Sequence, residues 1–319
     1  MLKGRKFIAI SFLGITGLVL LSSVSVPIQY SAQASVPYSL DPTTHQFQSM
    51  QQLAKWFLPY AQTNSSRLHF IDGLEPGIVM EDHSLRLLSV TPGQIDLSVE
   101  ADGLEKQYSF FIRPDPKQRG KSIVKLSLFR TAWKRWIDPD PVDREVIQSL
   151  YALEAFTNDT KRVYGFPIRQ TVLTDSCYLF MSETVPPEMK ARRTSILFDS
   201  LIHFVHRSRV EWGGKRIYFE QHSEDNQLKV FTGVVVSCSI EEQPAKGFGR
   251  KTLPTGQKML VTTFEGPYKE VEKAYKALEQ YRRDYSLVSY ITPFEDLLSP
   301  GAGYSPEDTV RINICSPIL

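Results

Sequence analysis

From Tyr164 to Leu319 the apolar residues switch period twice, from alternation to helical spacing and back, and this repeated switch restricts the fold more than any other feature. Residues 168–182 read as a strand, and Val185-Pro186-Pro187-Glu188 then opens a helix, since proline suits a first helical turn. Phe198, Leu201, Ile202 and Val205 form the apolar stripe of that helix. Past Trp212-Gly213-Gly214, residues 216–221 and 229–237 read as two strands around a polar turn at 223–227. The order then recurs. Strands at 249–253 and 257–264 lead to a helix over 266–284 with Tyr268, Val271, Tyr275 and Leu278 on one face, and a strand at 309–315 closes the segment. The two copies share element order without convincing residue identity, so the expectation is a pseudo-duplicated pair of strand–helix–strand units of α+β class.

The preceding segment reads as a separate layer pair. Residues 36–40 are extended, Asp41-Pro42 follows, and Phe47, Met50, Leu53, Trp56 and Phe57 recur at helical spacing until Leu58-Pro59 closes the run. Strand signals at 85–90, 95–99, 108–112 and 123–133 are separated by Thr91-Pro92-Gly93, Asp102-Gly103 and Arg113-Pro114-Asp115-Pro116. Val142, Val146, Leu150 and Leu153 then place a long helix that stops near Asn158. An antiparallel sheet with such a helix can enclose a cavity.

Charge decides what the N-terminus does. Lys3, Arg5 and Lys6 precede an uncharged apolar run over residues 7–28, the pattern of an export signal, and Ala32-Gln33-Ala34 supplies a small-x-small cleavage pattern. The run is also close to the roughly 20 residues that span a bilayer. Residues 1–34 therefore read as a signal peptide or a retained membrane anchor, and either outcome puts the remainder outside the cytoplasm. The whole chain has 37 basic and 35 acidic residues, and the leader holds three of the basic ones, which leaves a body of net charge −1. A body so balanced has no electrostatic footprint for phosphate backbones, so nucleic acid is not an expected partner.

Residues 36–158 resemble the START-like, or helix-grip, lipid- and ligand-binding superfamily. The resemblance lies in Leu40-Asp41-Pro42, the helix with Lys55-Trp56-Phe57, and a strand-rich middle leading to a C-terminal helix. Residues 164–319 resemble the GyrI-like small-molecule-binding domain, also found as the effector-binding domain of AraC- and MerR-type regulators. Six pieces carry that second resemblance in order along the chain. They are Gly165-Phe166-Pro167, Phe231-Thr232-Gly233-Val234-Val235-Val236, Leu253-Pro254-Thr255-Gly256, Phe264-Glu265-Gly266-Pro267-Tyr268, Thr292-Pro293-Phe294-Glu295 in a late loop, and Arg311-Ile312-Asn313-Ile314-Cys315-Ser316-Pro317. The chain departs from the regulators in having no room for a helix-turn-helix reader.

This resemblance implies two β-α-β-β modules about a pseudo-twofold axis, with an aromatic-lined cleft between them. It also implies that Glu295, in the Pro-aromatic-Glu position, projects into the cleft and meets a cationic, amphipathic ligand. The physics agrees with that role. A carboxylate at the base of an apolar pocket is costly unless paired, so it selects a cation and rejects neutral look-alikes. Aromatic faces add about 0.5–2 kcal/mol of cation–π attraction. Phe294, Tyr178, Trp212, Tyr218, Tyr290 and Tyr304 are the candidate walls. Some GyrI-like proteins hydrolyse reactive small molecules, and Glu295 would then be a general base; binding is the preferred reading of the two.

Other chemistry finds little support. Arg119-Gly120-Lys121-Ser122 has Asp115 where a phosphate-binding loop needs glycine, and a strand follows it. Asp199, His203 and His206 share one helix face, an arrangement that amphipathic helices often show without a metal, so neither metal nor cofactor is expected. Cys177, Cys238 and Cys315 read as small buried hydrophobes, with a Cys238–Cys315 bridge left open. The sequence thus predicts a cell-envelope protein of three parts, a leader (1–34), a START-like domain (36–158) and a GyrI-like domain (164–319).

Overall fold

The computed structural model describes residues 27–131, 133–134, 140–174, 177–222, 225–238, 247–298 and 305–319. They form two compact units, divided between Asn158 and Asp159, and the fold is α+β with two antiparallel sheets. The apolar run at 7–28 lies outside the described residues except for Pro27 and Ile28. Among the described residues no helix is long and apolar enough to cross a membrane.

The first unit begins with β1 (Pro27–Val36), then the short helices α1 (Leu40–Gln48) and α2 (Met50–Leu53). The single helix expected here is broken at Ser49, whose extended backbone ends α1 and whose side chain accepts from the Gln52 amide to cap α2. Strands β2 (His69–Ile71), β3 (Gly77–Met80), β4 (His83–Thr91), β5 (Gln94–Ala101), β6 (Leu104–Pro114) and β7 (Ser122–Thr131) follow, then α3 (Pro141–Thr157). The sheet order is β1-β7-β6-β5-β4-β3-β2, so the first strand closes onto the last. Asp140 caps α3 by accepting from the amides of Val142 and Asp143, with Pro141 in the first turn. Val146, Leu150 and Leu153 of α3 are fully buried, and Phe47, Trp56, Phe57 and Phe110 fill the interior of the unit. The Arg130 guanidinium grips the buried Asp143 carboxylate through two hydrogen bonds of 2.7 and 2.8 Å, and the Tyr108 hydroxyl donates to the same carboxylate.

The end of the expected leader lies within the sheet. Ala32-Gln33-Ala34, read as a cleavage pattern, belongs to β1, which pairs with β7 over ten residues, Ala32 opposite Leu126 and Ala34 opposite Val124. Ala32, Ala34 and Val36 face inward and are buried, while Gln29, Ser31 and Gln33 face out. Small residues carry this alternation so faintly that the strand is hidden behind the stronger leader pattern. Cleavage after Ala34 would strip most of β1 from the sheet.

The second unit contains α4 (Thr160–Tyr164), β8 (Ile168–Val172), β9 (Cys177–Val185), α5 (Lys190–Arg207), β10 (Trp212–His222), β11 (Leu228–Val236) and β12 (Gly249–Thr252). It continues with β13 (Lys258–Pro267), a 3-10 turn at Tyr268–Glu270, α6 (Glu272–Asp284), β14 (Phe294–Leu297) and β15 (Thr309–Pro317). The strand expected over 168–182 is thus two strands, β8 and β9, which lie far apart in the sheet order β12-β9-β11-β10-β14-β15-β13-β8. Reading that order from both ends gives the same module twice. Strand β9, helix α5 and the hairpin β10–β11 repeat as β13, α6 and the pair β14–β15. The two modules meet where β10 pairs antiparallel with β14, each being the second strand of its module.

Because β1 covers one edge of β7 and buries three inward side chains, its loss is expected to destabilise the first unit. Chains starting at residue 27 and at residue 35, both running to Leu319, should differ in thermal melting, the shorter one losing its cooperative transition or several degrees of Tm. Equal melting would show that β1 is dispensable.

Candidate functional site

Glu295 sits at the junction of the two modules. Sequence reasoning put it in a loop; the structure puts it in β14, with Tyr218 opposite on β10 and Ile314 opposite on β15. Being central in a sheet leaves it only 2% exposed. Side chains alternate along a strand, so Glu295 and Tyr218 face the helices while Phe294 and Ile217 face the other side.

The helix side supplies its partners. Tyr268 and Tyr275 are seven residues apart, two helical turns, and each hydroxyl donates to Glu295 Oε1 at 3.1 Å. Glu295 Oε2 is buried and has no hydrogen-bond partner among the described residues. Lys190, the first residue of α5, brings its ammonium to 4.8 Å from the Tyr268 ring centroid and 5.5 Å from that of Tyr218. The same ammonium makes a 2.6 Å ion pair with Glu220 Oε2, and the Tyr218 hydroxyl donates to that oxygen as well. The result is a cation held between aromatic faces, paired with Glu220 and close to the buried Glu295 carboxyl.

Burial pushes the Glu295 carboxyl up to about 7, and the Glu220 charge adds to the rise. The two phenol hydrogen bonds and the Lys190 charge pull the other way without cancelling it. Burial and the negative charge of Glu295 drive the Tyr275 hydroxyl well above its usual range, which keeps it a donor at any physiological pH.

The six aromatic candidates do not converge. Tyr218 joins Glu295. Phe294, Tyr178 and Tyr290 instead line a cavity of about 350 Å³ on the opposite face of the sheet. Trp212 meets His206 edge-on at 5.9 Å, and His206 lies sixteen residues beyond Lys190, about 24 Å along the same helix. Tyr304 lies outside the described residues. One cleft was expected, and strand alternation divides its walls between two faces. Tyr268, Tyr275, Lys190 and Glu220 were not anticipated; the only trace of them in the sequence is a pair of tyrosines, rather than aliphatics, two turns apart on one helical stripe.

Cys177 and Cys238 form a disulfide with Cα atoms 5.3 Å apart, joining the start of β9 to the residues after β11. This replaces both the Cys238–Cys315 alternative and the reading of Cys177 and Cys238 as plain apolar fillers. Spacing cannot reveal which strands become neighbours, and β9 pairs with β11. Cys315 is a free, buried thiol, pushed up to about 12 by burial. Asp199, His203 and His206 occupy the exposed face of α5.

No protein-family profile matches the chain, and no curated protein matches it in sequence. Solved structures do resemble it. EcmrR in its complex with DNA is 11% identical with a TM-score of 0.41, over 58% of this chain and 75% of that one. The EcmrR C-terminal domain is 12% identical with a TM-score of 0.37, over 48% of this chain and 98% of that one. A hydrolase from Listeria innocua is 11% identical with a TM-score of 0.34, over 48% and 91%. At identities and scores this low, function is read from the geometry of the site.

The raised carboxyl makes stability depend on pH with a definite sign. The folded form holds the Glu295 proton up to about 7 and the unfolded form releases it near 4.5. The group's contribution is therefore complete below 4.5 and is lost as pH rises through about 7. The difference in unfolding free energy between wild type and Glu295→Gln should shift by about 3 kcal/mol against wild type across that interval. Denaturant melts at both ends of it read the shift, and a constant difference would contradict the assignment.

Proposed function

We propose that the second unit is a GyrI-like small-molecule-binding domain that receives an amphipathic cation at Glu295, and that the protein works at the cell envelope. The observation that carries this is the position of the Lys190 ammonium. It lies on the Tyr268 and Tyr218 rings beside Glu220, while Glu295 Oε2 has no partner among the described residues. The chain's own cation marks where a ligand's positive charge is stabilised. A lipophilic cation entering there gains the aromatic faces and an ionised Glu295, and the flexible Lys190 stem can swing off the rings toward solvent. A neutral analogue would bury the carboxyl with no charge in return.

Two features support the envelope. The basic n-region and apolar run at 7–28 fit export or anchoring, and the Cys177–Cys238 disulfide suits an oxidising compartment. In this reading the apolar run ahead of β1 exports the protein or tethers it to the membrane, and the nearly neutral body has no nucleic-acid partner.

Thermal shift with tetraphenylphosphonium, a lipophilic cation, tests the site. Wild type should be stabilised and Glu295→Gln should not, while Lys190→Met should bind several-fold more tightly because it lacks the competing ammonium. Equal stabilisation of wild type and Glu295→Gln would sink the assignment. A carboxyl near 7 also suits a general base, which favours hydrolysis as the second reading. Turnover of reactive esters or epoxides by wild type, absent in Glu295→Gln, would establish that reading over simple binding.

A further inference from the structure

The cavity on the face of the sheet away from Glu295 has its own chemistry. Its floor comes from neighbouring strands: Phe219 and Phe231 stack as a cross-strand pair, centroids 4.2 Å apart and planes within 7°. Ile217 and Phe180 extend the floor on either side, and Phe294 and Tyr178 close it. Two glycines keep it open. A Cβ on Gly233 would come within 2.8 Å of Ile217, and one on Gly249 within 2.4 Å of the Phe180 ring. Both side chains therefore lie down on the sheet where a larger residue would force them up into the hollow.

An open apolar hollow of about 350 Å³ falls at the lower end of the size range of small-molecule sites. Tyr290, on its rim, is 67% exposed. Lys251 lines the cavity from β12, opposite Tyr178, and at the other end the Lys229 ammonium sits 5.2 Å from the Phe231 centroid. No carboxylate is among the described residues that line it; Asp296, the acidic group on this face of β14, stands opposite Ile217 at the edge of the floor. An apolar floor with cations at its edge complements an anion carried on a flat hydrophobic body. The helix side differs, with Glu295 buried there and Glu220 paired with Lys190.

We propose that this cavity is a second ligand site, for a small planar amphipathic anion such as an aromatic carboxylate or sulfonate. The body lies on the Phe219–Phe231 stack and the anionic group reaches Lys251. The site is independent of the Glu295 reading, since its side chains project from the other face of the same strands.

The test uses the full-length protein and the fluorescence of 8-anilinonaphthalene-1-sulfonate. The double variant Phe231→Ala/Lys251→Glu serves as the blank for binding to any other apolar segment. Saturable binding above that blank is expected, with affinity at least tenfold weaker in Lys251→Glu and unchanged in Glu295→Gln. N-phenyl-1-naphthylamine, the same body without the sulfonate, should bind at least tenfold more weakly than the anion. Thermal melts of each variant confirm that it is folded. Equal affinity for the charged and uncharged probes would overturn the anion assignment. Absence of binding above the blank, or probe release that tracks dimerisation, would overturn the site itself, the latter by showing that a second copy covers the face. Loss of binding in Glu295→Gln would also overturn its independence.

Discussion

One buried carboxyl sets the terms for the second unit. Glu295 can sit at 2% exposure only because β14 threads between β10 and β15, and only because two phenols reach it from the helix side. Removing a carboxylate from water costs far more than one hydrogen bond returns, so the group stays partly protonated near neutrality. If the site receives a cation, as proposed, that compromise has a chemical use. A carboxyl poised near 7 ionises readily when a cation arrives and protonates when none is present, so ligand charge and proton occupancy are linked.

Lys190 balances the charge of the site from within the chain. Its ammonium takes the aromatic faces and pairs with Glu220, so the positive charge in the site is balanced before any ligand binds. Strand alternation then divides the sheet's chemistry. Acidic groups and phenols lie beneath the helices, while phenylalanines with lysines at the rim lie on the opposite face. Adjacent residues of β14, Phe294 and Glu295, serve the two sides.

How much of this was legible in the sequence depended on whether a signal was local. The helical stripes of α5 and α6 and the duplicated element order were visible, because periodicity is a property of consecutive residues. The seven-stranded order of the first unit was not, since pairing β1 with β7 joins residues nearly a hundred positions apart. Strand β14 has only four residues behind Pro293, with Glu and Asp in its middle, and its pairing partners alone make it a strand. Glu295 was singled out through the family-like motif and Tyr218 among the aromatics, but Tyr268, Tyr275, Lys190 and Glu220 were not. Tyr268 and Tyr275 looked like core, because a tyrosine on an apolar stripe shows its hydroxyl's role only when the acceptor's position is known. The wall residues were chosen as aromatics near the motif, and composition cannot say which face of a sheet each one takes.

If Glu295 is a proton-poised cation receptor, its own titration must respond to the ligand. With glutamate carboxyls labelled by carbon-13 and Glu295 assigned by its disappearance in Glu295→Gln, the side-chain resonance can be followed across pH with and without tetraphenylphosphonium. The account predicts a midpoint near 7 in the free protein. It also predicts a fall of about one unit or more when the cation is bound, corresponding to roughly tenfold tighter binding to the ionised form. A free-protein midpoint near the ordinary 4.5, or a midpoint that the bound cation leaves in place, would contradict it.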